Sequence, residues 1–192
     1  MKRAFIIFFM ILITGLVVNA ANEELVLRGY DGIEIPAGTF IRVINLRQIS
    51  TKTDDDTTKT YFMATNDTYI QETNIIPSGT KFQGVIEKMN EPVVGTNASM
   101  VIKVTKMVLP DGFEIPLRAY IYTANGNKIG GELTQPASWR KHPHYQQGLG
   151  LGTLKYTPGP KRKMGEHLTI AAGAELMIVL ASPAWITHTL TN

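Results

Sequence analysis

There is no cysteine anywhere in the 192 residues. That excludes disulfides, thiolate metal centres, a cysteine nucleophile and a lipid anchor on an N-terminal Cys. Catalytic signatures are missing as well. No G-x-S-x-G elbow, no H-E-x-x-H pair and no phosphate-binding glycine loop occurs. Tryptophan is scarce, with two residues, and net charge is low at +3. Beyond the first 20 residues no run is long and apolar enough to span a bilayer, and none carries a helical stripe with caps. The expectation is a non-enzymatic protein without cofactor, stabilised by a hydrophobic core alone.

The N-terminus is the strongest signal present. Lys2 and Arg3 precede an apolar run from Ala4 to Val18, followed by Asn19, Ala20 and Ala21. This is the pattern of a signal peptide over residues 1–20, cleaved after Ala20 or Ala21. It implies an exported protein, periplasmic or associated with the outer envelope. Residues 21–192 then form one domain with no transmembrane segment. Loss of Lys2 and Arg3 leaves 17 Lys and Arg against 16 Asp and Glu. That balance is too near neutral to argue for specific nucleic-acid binding.

Apolar and polar residues alternate through most of this domain, the period of half-buried strands. Strands are expected over 80–88, with Phe82, Gly84 and Ile86 on one face, and over 98–109, with Met100, Ile102 and Val104. Others are expected over 117–123, Phe40–Leu46 and Thr60–Ala64. Leu176–Leu180 is apolar on both faces, as for a fully covered central strand. The fold class implied is all-β, a mostly antiparallel barrel or sandwich.

Turn signals repeat. Ile35-Pro36-Ala37-Gly38-Thr39 recurs as Ile76-Pro77-Ser78-Gly79-Thr80, and more loosely as Ile170-Ala171-Ala172-Gly173-Ala174. Each should turn the chain into a strand, with Pro36 and Pro77 presetting φ at the first central position and Gly38, Gly79 and Gly173 supplying positive φ. A second repeat pairs Asp31-Gly32-Ile33-Glu34-Ile35-Pro36 with Asp111-Gly112-Phe113-Glu114-Ile115-Pro116, and Asp-Gly is a hairpin signal.

Two stretches interrupt the pattern. Thr51–Thr60, with Asp54-Asp55-Asp56, reads as an exposed polar loop. Residues 133–165 read as one long insertion of irregular pattern, either functional or disordered. This insertion holds Pro136, Pro143, Pro158 and Pro160 and six cations: Arg140, Lys141, Lys155, Lys161, Arg162 and Lys163. Its aromatic residues are Trp139, Tyr145 and Tyr156. The candidate binding residues are Trp139, Arg140, Lys141, Tyr145, Lys161, Arg162 and Lys163, because cations attract anionic groups and the aromatic rings can stack on sugars or bases. A groove lined by Trp139, Tyr145 and the basic cluster would suit an anionic surface polymer. His142-Pro143-His144 with Glu166-His167 offers metal-ligand types, but its spacing matches no ligand pattern, so no metal is expected.

The chain resembles the periplasmic C-terminal domain of the TrbI family of conjugation and type IV secretion channel proteins. The shared pattern is the I-P-x-G-T strand start at Ile35–Thr39 and Ile76–Thr80, followed by Gly84. After these come Pro110-Asp111-Gly112 leading to Leu117, then Gly126, Gly130 and Gly131, then Gly173 with Leu176 and Ile178. The order agrees over about 32–131 and 170–180. The resemblance implies a barrel-like domain working as a scaffold in an envelope assembly, with protein partners or further copies of itself. A signal peptide stands where family members carry an uncleaved membrane helix. The 133–165 insertion stands where they carry a pore-forming helical hairpin, and it has no apolar helical stripe.

Overall fold

The computed structural model describes residues 33–70, 73–145 and 152–186. The leader, the Asp31-Gly32 pair and the insertion tip at 146–151 lie outside the described residues. No helix occurs among those described. The strands are β1 (Ile33–Ile35), β2 (Phe40–Asn45), β3 (Ile49–Ser50), β4 (Lys59–Ala64) and β5 (Thr68–Ile70). They continue with β6 (Thr73–Ile76), β7 (Lys81–Asn90), β8 (Ser99–Val108), β9 (Glu114–Ile121) and β10 (Lys128–Gly130). The last five are β11 (Trp139–Tyr145), β12 (Gly152–Pro158), β13 (Thr169–Ile170), β14 (Glu175–Leu180) and β15 (Ala184–Ile186).

The main sheet runs β8-β7-β4-β2-β14-β9, and β9 pairs back onto β8. The result is a closed barrel of six antiparallel strands, which leaves no open edge in its wall. β10 adds to one end of β8. The six barrel strands fall on the six stretches that the sequence marks as strands, β14 by its continuous apolar run and not by alternation, and the faces predicted for β7, β8 and β9 hold. Phe82 and Ile86, Met100, Ile102 and Val104, and Leu117, Ala119 and Ile121 all point inward and are buried. With Ile41, Val43, Phe62, Ile178 and Leu180 they fill the barrel as one core.

Gly84 faces this core at a bulge between β7 and β8. A Cβ there would lie 2.7 Å from Thr60 Oγ1 and 2.9 Å from the Lys103 carbonyl oxygen. The glycine is therefore demanded by space, its φ not being positive. Gly84→Val is expected to cost about 1–3 kcal/mol through overpacking. A urea midpoint unchanged from the parent would show that the wall has room at that point.

The I-x-x-G turns form one device used three times. Thr39 N–H donates to the Pro36 carbonyl (3.3 Å), Thr80 N–H to that of Pro77 (3.2 Å) and Ala174 N–H to that of Ala171 (3.2 Å). The glycines at the third turn position have φ of 84°, 84° and 79°, the requirement of a type II turn. The prolines thus sit at the first turn position, one residue earlier than the sequence suggests. They do not preset the φ of a central residue. Instead, their carbonyl receives both the N–H and the hydroxyl of the threonine, with Thr39 Oγ1 and Thr80 Oγ1 each at 2.7 Å. Each glycine N–H also reaches the last residue of the neighbouring strand. Gly38 donates to Leu180, Gly79 to Ala64 and Gly173 to Asn45, while these three return their own N–H to Thr39, Thr80 and Ala174. Two residues oppose one, which is a glycine-led bulge. The device both starts one strand and closes off the end of the next.

Three expectations change. β14 is central, between β2 and β9, yet it is covered on one face only. Ile178 and Leu180 are buried, whereas Met177 and Val179 are half-buried on the outside, beside the edge-to-face pair Phe40–Tyr122. Thr51–Thr60 is exposed over most of its length, as expected, yet it is stitched in place and begins on a buried residue. Asp54 pairs with Arg47 at 3.1 Å and accepts the Ser50 N–H at 2.8 Å, and Thr51 is buried. Finally, 133–165 is not irregular throughout, since Trp139–Tyr145 and Gly152–Pro158 within it are paired strands.

Candidate functional site

The insertion is an antiparallel ribbon. β11 and β12 pair from Trp139↔Pro158 to Tyr145↔Gly152 without a break. At about 3.3 Å per residue its seven pairs extend roughly 20 Å. The base is tied to the loop between β7 and β8. Thr134 N–H donates to Gly95 O, and Gly95 N–H to Lys163 O, both at 3.0 Å. Thr134 Oγ1 donates to the same Lys163 carbonyl at 2.9 Å, and Gly165 N–H donates to Val93 O at 3.0 Å. Gly165 is required here because any Cβ would collide with the Thr96 and Val93 carbonyls. None of the core hydrophobic residues lies among the described residues of 133–165.

Directly opposed residues of an antiparallel pair share a face. One face therefore carries Trp139 with Pro158, Lys141 with Tyr156, and Pro143 with Leu154. The other carries Arg140 with Thr157, and His142 with Lys155. The first face is apolar and largely open: Trp139, Leu154 and Tyr156 are 55%, 54% and 57% exposed. The second is basic. Residues 133–165 hold six Lys and Arg and no Asp or Glu. The rest of the chain after Ala20 holds 11 Lys and Arg against 16 Asp and Glu. Charge is thus segregated, with the ribbon cationic and the body anionic.

The expected groove does not form. Trp139 lies at the base end of β11 and Tyr145 at the far end, opposite Gly152. Arg140 and Lys141 alternate between faces. Lys161, Arg162 and Lys163 lie below the ribbon at its root, all exposed. Arg162 also has a structural use, since its Nη1 donates to Thr134 O at 2.8 Å. His142, Glu166 and His167 are not brought together. His142 is on the ribbon, while His167 Nδ1 sits 3.2 Å from Thr51 Oγ1 and 3.8 Å from Glu91 at the barrel end.

Sequence reasoning missed an apolar patch at the root. Val94, Leu133 and Met164 are 70%, 71% and 59% exposed. Beside them opens a cavity of about 480 Å³ with Lys163 and Glu166 on its polar side. The available signal was Gly95 and Gly165, since glycines between strands mark close backbone approach.

No family model matches the chain, and no curated protein matches it. Among solved structures it is similar to ComB10 of the Com type IV secretion system of Helicobacter pylori, at 16% identity and a TM-score of 0.47. That likeness covers 79% of this chain and 90% of that one. No ribbon residue takes a role from it.

Proposed function

We propose that this chain is an exported, non-enzymatic envelope protein in which the barrel is a rigid scaffold and the ribbon docks it to its partner. The assembly it serves is of the secretion or conjugation kind that its turn pattern resembles. The observation that carries the reading is the ribbon itself. Its strands hold three cations and no acid, three more cations lie at its root, none of its described residues enters the barrel core, and backbone hydrogen bonds fix it at the root. Loops and projections carry specificity while barrel walls carry packing. A second reading, a stand-alone module for an anionic cell-wall or surface polymer, draws on the face bearing Arg140, His142 and Lys155.

Exposed charges act over about 8 Å at physiological ionic strength and less as salt rises. The triple change Arg140→Gln, Lys155→Gln and Lys161→Gln leaves the Arg162 hydrogen bond intact. It should weaken co-sedimentation with envelopes several-fold at low salt and little at about 0.5 M salt. Equal binding of parent and triple variant at low salt would remove the ribbon's charge from the account.

A further inference from the structure

The ribbon has two outer edges, and neither pairs with another described strand. They are not equivalent. Gly159 N–H donates to Ser138 O at 2.9 Å. With the observed register this makes Ser138 and Gly159 a hydrogen-bonded pair and Trp139 and Pro158 a non-bonded one. The alternation then continues to the tip. Arg140, His142 and Lys155 turn their backbone groups inward to the ladder. Trp139, Lys141, Pro143, Leu154, Tyr156 and Pro158 turn theirs outward. Both prolines fall in the outward set, where their missing N–H costs the ladder nothing.

Their positions decide which edge is usable. Pro143 sits mid-strand and interrupts the donors of the β11 edge, a device that blocks strand addition. Pro158 sits at the root of β12, so from Gly152 to Tyr156 that edge offers outward N–H groups without a gap. We infer that the outer edge of β12 takes an extended acidic segment of a partner protein as a third strand of the ribbon. This rests on the proposed docking role and supplies its mode.

Charge and pattern select the occupant. A strand added beside β12 continues both faces of the ribbon. Its side chains alternate between the apolar face, beside Leu154 and Tyr156, and the basic face, beside Lys155 and Thr157. The matching sequence alternates β-branched apolar residues with Asp or Glu. Pairing with the ribbon of a second copy would oppose two sets of three cations, Arg140, Lys141 and Lys155 of each. Burial in lipid would leave the open edge without hydrogen-bond partners.

The probe is a fluorescein-labelled (Val-Glu)4 peptide titrated into the mature chain, with anisotropy and amide hydrogen exchange as readouts. Binding should protect the Leu154 and Tyr156 amides. Leu154→Pro removes an outward donor and should weaken binding about tenfold, the cost of a lost backbone hydrogen bond with its misfit. Leu154→Ala separates loss of the side chain and should weaken it less. Lys141→Pro alters the edge already interrupted and should leave binding within about twofold. Protection of the Arg140 and Lys155 amides in each variant shows that the ribbon is still formed. The inference is overturned if the peptide does not bind, if protection appears at Trp139 and Lys141, or if Leu154→Pro and Lys141→Pro behave alike. It is also overturned if phosphatidylglycerol vesicles displace the peptide and bind Leu154→Pro as well as the parent, which would assign the ribbon to lipid. If Leu154→Pro still associates with envelopes while deletion of 137–163 does not, the docking role stands and the edge-pairing mode fails. If both associate, the two fall together.

Discussion

Phe62→Ala is expected to lower the stability of the mature protein by about 3–5 kcal/mol, enough to unfold a large share of molecules at 37 °C. Phe62 is fully buried on β4 and stands directly opposite Phe82 of β7, which is 1% exposed. In a closed barrel of six strands the interior is narrow, and the opposing wall is tied on both sides by its ladders. It cannot collapse into the space that the ring leaves. The loss therefore includes the transfer free energy of the ring and most of the cavity term. Tyr61, its neighbour, points outward and is 43% exposed. Tyr61→Ala should cost no more than about 0.5 kcal/mol. Urea unfolding followed by circular dichroism checks both. The midpoint should fall sharply for Phe62→Ala with the slope unchanged. Similar midpoints for the two variants would mean that the wall alternation has been assigned to the wrong faces.

The barrel was legible because each of its strands has one wet and one dry face, and the alternation survives bulges. In β8 the register shifts between Val104 and Lys106, so the buried set runs Met100, Ile102, Val104 and then Met107. The closure of the barrel was not legible. Nothing in the alternation says that β9 pairs with both β8 and β14, which leaves barrel and sandwich equal on sequence grounds. The turns were legible in place and wrong in phase. Glycine announced the positive φ, but the proline's use as an acceptor for Thr39 or Thr80 depends on hydrogen bonds that sequence does not display. The short strands β1, β3, β5, β6, β10, β13 and β15 span two to four residues each. That is too brief for a period to appear.

The ribbon was missed for a different reason. Both of its faces are solvated, so its residues are not sorted by burial. Pro143 and Pro158 look like breakers until the outward phase of their backbone groups is known. The seven candidate residues were found by charge and ring type, and their grouping into two faces and a root came only from register. Arg162 shows the limit of reading charge alone, since part of its guanidinium is committed to Thr134 O.

The second large effect concerns the whole ribbon. The account holds that barrel and ribbon are separable, the one for stability and the other for docking. No core hydrophobic residue comes from the described residues of 133–165, and residues 137 and 163 are close to one another through the Ala137–Lys161 and Lys163–Gln135 hydrogen bonds at 2.9 and 3.1 Å. A short Gly/Ser linker can therefore join Pro136 to Met164 and keep two of the root ties, Thr134 N–H to Gly95 O and Gly165 N–H to Val93 O, while the two bonds to the Lys163 carbonyl are lost. Prolines at 143, 158 and 160 restrict the excised chain in the unfolded state, so its removal should cost the barrel no more than about 1 kcal/mol. The decisive measurement is co-sedimentation of this deletion variant with native envelopes at low salt, alongside its urea unfolding curve. The account predicts an unfolding midpoint close to the parent's and association reduced to background. A variant that is folded and still associates like the parent would contradict it and place the docking function on the barrel wall.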